Sequence, residues 1–182
     1  MSMAPGWNLG NNLDAVNNNA AIETGWGNKK CTQATMDAVK AAGFNSVRIP
    51  VSWAGHIGAD PNYTLRELWL NRVAEVVGYA RNAGLKAIIN IHHDGNPDVV
   101  TGDKYWLDIR KAVADENYNQ KVKEELTAVW TQIAKRFIDE DYYLIFEGMN
   151  EINDGASHSG SKTKQMKVMN EWNQTFVNAV RA

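Results

Sequence analysis

The sequence predicts an α/β fold of four strand–helix units, and three observations predict it. Short apolar runs rich in β-branched residues recur four times along the 182 residues. Stretches with apolar residues at helical spacing separate them. Hydrogen-bonding side chains gather just past the C-terminal end of each run. Near-continuous apolar strands joined by amphipathic helices indicate a parallel sheet with helices packed against it. A doubly wound sheet and a (β/α)8 barrel share this alternation, so the pattern leaves both open.

The elements follow in order. Gly6-Trp7-Asn8-Leu9-Gly10-Asn11 opens the chain as a short strand. Thr32 is a plausible N-cap for a helix to about Ala42, and Gly43 stands where a C′ glycine belongs. Phe44 to Val51 reads as the second strand. In the next helix Leu65, Leu68, Trp69, Val73, Val76, Val77 and Ala80 recur at helical spacing, and Asn82-Ala83-Gly84 closes it. Leu85 to Ile91 is the third strand, followed by a long polar loop. Val122, Leu126, Val129, Trp130, Ile133 and Phe137 form the third helical stripe, and Tyr142 to Met149 the fourth strand. A last helix carries Met166, Met169, Trp172, Phe176, Val177 and Val180.

Composition narrows the function classes. A net charge of −2 gives no electrostatic reason for a nucleic acid or an anionic membrane as partner. No apolar run approaches the roughly 20 residues that span a bilayer. Met1 to Pro5 is too short and uncharged for a signal peptide. Cys31 is the single cysteine, so the chain can form no internal disulfide and no cysteine-built metal site. The sequons at Asn62 and Asn173 are short enough to arise by chance. Seven tryptophans are many for this length. Most are expected in the core, while any at a cleft would offer a flat face to a pyranose ring.

The polar residues past the strands are the candidate site. They are Asn11, Asn12 and Asp14 after the first; Arg48 and Trp53 at the second; His92, His93 and Asp94 after the third; Asn150, Glu151, Asn153 and Asp154 after the fourth. In a barrel this face carries the active site. Any one of them could be a cap or turn former, but four strands ending alike argues for a site. The first loop lacks the G-x-G-x-x-G spacing of a dinucleotide fold, and no serine sits in a G-x-S-x-G elbow. Neighbouring strand residues point to opposite faces, so His92 and His93 are expected to hydrogen-bond rather than to chelate a metal together.

Four runs then carry a resemblance: Gly6 to Asn11, Val47-Arg48-Ile49-Pro50-Val51-Ser52-Trp53, Ile89-Asn90-Ile91-His92-His93-Asp94, and Phe146-Glu147-Gly148-Met149-Asn150-Glu151. In order and spacing the chain resembles glycoside hydrolase family 5, especially bacterial endo-β-1,4-glucanases, over nearly its whole length. The resemblance implies a (β/α)8 TIM-barrel type of which residues 1–182 are the N-terminal half, with four βα units present. It implies a retaining hydrolase of β-1,4-glucans, secreted, with no cofactor and no metal. Glu151 is then the general acid/base, Asn150 binds the sugar 2-hydroxyl, and Arg48 holds the nucleophile's carboxylate. His92 and His93 line the subsite beside the scissile bond, and Asn11 and Trp53 belong to the cleft wall. Ile152 stands where the family often has proline. The acid must hold a proton for the leaving oxygen while the nucleophile stays ionised. Glu147, four residues before Glu151 and on the same parity, reads as a pairing residue inside the barrel.

A whole barrel takes about 250 residues, and the family's nucleophile lies on the seventh strand. No such residue occurs here, so the chain alone is expected to be inactive. Two open strand edges and an uncovered inner face invite association, as a homodimer or with a complementary half-barrel. In a symmetric homodimer the two Glu151 residues would face each other across the barrel, beyond the 5–5.5 Å of a retaining pair. Related barrels cleave mannan, xyloglucan or xylan. A non-catalytic carbohydrate-binding half-barrel and an engineered half-barrel that assembles as a dimer are the other readings. The stop at Ala182, at the end of a βα unit, suits a deliberate or evolved half.

Overall fold

The computed structural model describes residues 2–154 and 162–182. Four parallel strands form one sheet in the order β1 (Gly6–Asn8), β4 (Ser46–Ile49), β5 (Lys86–Asn90) and β6 (Leu144–Glu147). The register aligns Asn8 with Arg48, Arg48 with Ile88, Ile88 with Ile145, and Asn90 with Glu147. Alternation puts these side chains on one face and Val47, Ile49, Ala87 and Ile89 on the other. The second set is 0–2% exposed, packed in one core with Trp69, Val73, Val77, Trp130 and Trp172 from the helices. Among the described residues no helix packs against the first face. β1 is exposed throughout and Ile145 is 37% exposed, so the sheet is open at both edges and on its inner side.

Local chemistry sets the helix ends. In α1 (Gln33–Ala41) the Thr32 N–H donates to the Thr35 hydroxyl at 3.2 Å, one arm of a capping box. Gly43 and Gly84, with φ of +93° and +74°, end α1 and α2 (Glu67–Asn82) in the left-handed conformation that side chains resist. The chain then turns straight into β4 and β5. Asp108 caps α3 (Ile109–Ala114), and Asp115 ends it while accepting from Asn117 N–H and Tyr118 N–H at the start of α4 (Glu116–Arg136). The helix α5 (Lys162–Arg181) lies along α4, with the buried Trp172 indole donating to Asn119 Oδ1 at 2.9 Å.

Several expectations need correction. The stretch after β5 read as a polar loop contains α3, and α4 starts six residues before Val122; both starts are set by aspartate caps rather than apolar residues. Leu68 and Met166 were placed on apolar stripes, yet they are 84% and 66% exposed. The rest of the α2 stripe, Trp69, Val73, Val76, Val77 and Ala80, is buried as expected, and in α5 the buried side runs through Trp172 with Val168 and Ala179 beside it. An unforeseen hairpin, β2 (Val16–Asn17) and β3 (Ala20–Ala21), follows β1. Asn18 and Asn19 both have positive φ there, the demand of a type I′ turn.

Candidate active site

The inner face of the sheet is polar because its strands end in side chains that bond one another. Arg48 on β4 is the hub. Its Nε donates to Glu147 Oε2 at 2.7 Å and its Nη2 to Glu147 Oε1 at 2.5 Å, a bidentate fork across the gap between strands. Nη2 also donates to Asn150 Oδ1 at 2.8 Å, and Nη1 reaches Asn8 Oδ1 at 3.3 Å. The Asn150 N–H donates to Ile91 O at 2.9 Å, which ties the corner after β6 to the end of β5. Glu151 follows in the left-handed region with φ 42°, exposed and within electrostatic reach of Arg48. Burial alone would raise the Glu147 carboxyl, but hydrogen bonds from Arg48 and Asn90 outweigh it and hold it below its ordinary value.

Of the predicted residues, Arg48, Asn150 and Glu151 thus come together at one end of the sheet, with Glu147 as Arg48's partner inside it. A second group stands beside them. Asp14, only 3% exposed, accepts the Asn12 N–H at 2.7 Å and has His93 Nε2 at 3.7 Å from its Oδ2. Burial would raise its pKa, yet the His93 ring and the loop N–H groups lower it. The His92 and His93 rings lie 4.4 Å apart at 72°. Burial, the neighbouring His93 and Arg48 lower His92 to about 4, although Asp14 and Glu147 pull the other way.

This grouping corrects the alternation argument. β5 ends at Asn90, and beyond it the chain bends, so neighbouring histidines need not point apart. Asp14, His92 and His93 bring ligand-capable atoms within 4.8 Å of one another. The contact from Asp14 to His93, at 3.7 Å, is wider than the roughly 3.3 Å separating neighbouring ligands around tetrahedral zinc with 2.0–2.1 Å bonds.

The two wall residues have different fates. Asn11 is exposed, with φ 57°, and its carbonyl is held by Asn28 Nδ2 at 2.8 Å. Trp53 is 0% exposed, its indole donating to Asn90 O at 3.1 Å, so it offers no face to a sugar and instead backs the site. The Trp53 N–H and the Trp106 indole each donate to the fully buried Asp94, at 2.9 and 3.0 Å. Burial raises that carboxyl to about 6. Five of the seven tryptophans are buried, as core filling predicts. Trp26 is the one at this site: 42% exposed, its ring 5.4 Å from His93 and its indole pinned to Val16 O at 2.8 Å. It sits in an irregular loop without period, so no sequence signal distinguished it. Asn90 was also missed, because a strand-internal asparagine looks like a pairing residue.

Comparison with known proteins gives one consistent picture. The profile of the cellulase family, glycosyl hydrolase family 5, matches residues 9–182. Endoglucanase B of Clostridium cellulovorans is 43% identical over 183 residues, covering 99% of this chain and 38% of that protein. Among solved structures, a GH5-4 broad specificity endoglucanase from Bacteroides salanitronis superposes with a TM-score of 0.90 at 58% identity, covering 97% of this chain and 46% of the other. A GH5-4 broad specificity endoglucanase from Ruminococcus champanellensis with bound cellotriose gives 0.84 at 42% identity, covering 97% and 50%. The chain spans about half the length of the solved relatives and less of the curated one.

Proposed function

The chain belongs to glycoside hydrolase family 5, and from that premise we propose that it supplies the acid/base half of a retaining β-1,4-glucan hydrolase. The observation that carries this reading is the polar face where Arg48 gathers Glu147, Asn150 and Asn8 while Glu151 stays exposed beside them. Asn150 is oriented by Arg48 and keeps its amide nitrogen for a sugar hydroxyl. Glu151, with no strand partner, is the carboxyl that can give a proton to the leaving oxygen and later take one from water. Glu147 cannot serve, because a carboxylate clamped by a guanidinium and held ionised is a poor acid.

Arg48 commits three of its five N–H groups to Glu147 and Asn150 and a fourth to Asn8. The remaining Nη1–H is available to a nucleophile's carboxylate. In the family's pattern the nucleophile lies on a later strand, so this reading takes it from outside residues 1–182, 5–5.5 Å from Glu151 in the retaining geometry. Trp26, His92, His93 and Asn11 form the adjoining wall, and Trp53 and Asp94 support it. The substrate is a β-1,4-glucan or a related polysaccharide met outside the cell; no helix among the described residues is long and apolar enough to cross a membrane. The open edges β1 and β6 favour a second reading, a half-barrel that pairs with another copy and binds glucan without cleaving it.

The test is hydrolysis of soluble cellulose and a chromogenic β-cellobioside, beside Glu151→Gln. The chain alone should turn over neither. Supplied with the complementary, nucleophile-bearing half, it should hydrolyse both, and the variant should lose activity by roughly 10²–10⁴-fold. Activity that survives in the variant would sink the assignment of Glu151.

A further inference from the structure

Asn90 makes more use of its amide than any other side chain of the site. It is 1% exposed at the end of β5. Its Oδ1 accepts the Val51 N–H at 3.1 Å. Its Nδ2 lies 3.1 Å from Glu147 Oε1 and 3.1 Å from His92 Nδ1. Its backbone carbonyl accepts the Trp53 indole. The amide can stand only one way round. Turned over, its oxygen would face the Glu147 carboxylate, and its NH2 would face the Val51 N–H. Like groups would then meet on both sides, with a buried acceptor and a buried donor left unsatisfied.

That fixed orientation reaches the histidine. Both Asn90 amide hydrogens are then directed outward, one to Glu147 and one to His92. A donor aimed at His92 Nδ1 requires that nitrogen to be the bare acceptor of a neutral imidazole, which leaves the ring proton on Nε2. We propose that Asn90 is a positioning residue that sets His92 in the Nε2–H tautomer, making it a hydrogen-bond donor to a substrate hydroxyl rather than a base. The same amide fixes Glu147, and Glu147 fixes Arg48, so one buried side chain sets the proton pattern of both groups. The substrate's part in this rests on the function proposed above; the tautomer does not.

The experiment is nitrogen-15 NMR of the histidine-labelled chain near neutral pH, which reads the proton position on each ring without substrate. His92 should show a bare Nδ1 and a protonated Nε2. In Asn90→Leu, which removes the donor and adds no charge beside Glu147, His92 should lose its single tautomer and share its proton between Nδ1 and Nε2. With the complementary half added, that variant should also lose roughly five- to tenfold in kcat/KM, the worth of one hydrogen bond. A proton on Nδ1 in the parent overturns the proposal, as does an unchanged His92 in a folded Asn90→Leu. The parent spectrum needs no variant, so the assignment stays testable if the substitution prevents folding. Inactivity of the assembled enzyme bears on the function and leaves the tautomer readout intact.

Discussion

Asp94 and His92 stand two residues apart in one loop, yet burial acts on them in opposite directions. Desolvation disfavours whichever form is charged, so it raises the acid to about 6 and lowers the imidazole to about 4. The stability consequences have opposite signs. Asp94 has a folded value above its ordinary 3.8, so its contribution is full below that value and is lost as pH rises through about 6. His92 has a folded value below 6.5, so its contribution is full above that and is lost as pH falls toward about 4. The two overlap, and substitution separates them. In Asp94→Asn the pH-dependent part due to Asp94 should vanish. The melting temperature of the parent relative to this variant should therefore fall between pH 4 and pH 7, by the equivalent of roughly 3 kcal/mol at most. A constant difference across that range would show that Asp94 titrates as it does in the unfolded chain.

The loop between β1 and α1 must be held still if Asp14 and Trp26 are to stand beside the histidines. A buried ion pair does this. Arg72 on α2 donates from Nε and Nη2 to the two oxygens of Glu23, at 2.9 and 2.6 Å, and from Nη2 to Cys31 O at 2.6 Å. Glu23 is only 5% exposed, and its Oε1 also accepts the Cys31 N–H. Removing Arg72 would strand that carboxylate in the interior. Arg72→Ala should cost about 3–5 kcal/mol in urea unfolding, whereas removal of the exposed Arg81 partner of Glu140 should cost under about 1 kcal/mol. Equal costs for the two would mean that water reaches Glu23. The same loop gives Cys31 its character: burial pushes its thiol up to about 11, despite Arg72 nearby, so it behaves as a small apolar side chain.

At the scale of the molecule, the sheet has a finished face and an unfinished one. The helix side is closed by an apolar core, while the inner side and the edges β1 and β6 expose Trp7, Ile145 and unpaired backbone groups. Unpaired edges recruit other strands. The 182-residue chain should therefore sediment and scatter light as a dimer or larger species at micromolar concentration. Ile145→Lys, which puts a charge on the inner face beside an edge, should shift it toward the monomer. A parent that stays monomeric and melts cooperatively would show that the polar network around Arg48 satisfies the inner face without a partner.

The four strands, four of the helices and the polar end of the sheet were legible in the sequence because they depend on short-range rules. Alternation, helical period and C′ glycines are properties of a few neighbouring residues; His92, His93, Asn150 and Glu151 are marked by standing just past apolar runs, and Arg48 by standing within one, near its end. Tertiary structure decided what each of those residues touches. Arg48 and Glu147 are 99 positions apart and meet only because β4 and β6 flank β5. Trp53 looked like a cleft residue and became a support, because its loop folds beneath the site instead of over it. Trp26, which nothing in the sequence singled out, stands beside His93, because a two-asparagine turn and the Arg72–Glu23 pair bring its loop back there. Spacing along a chain encodes which side of an element a residue takes. Partners that belong to different strands are chosen by the packing of the whole sheet.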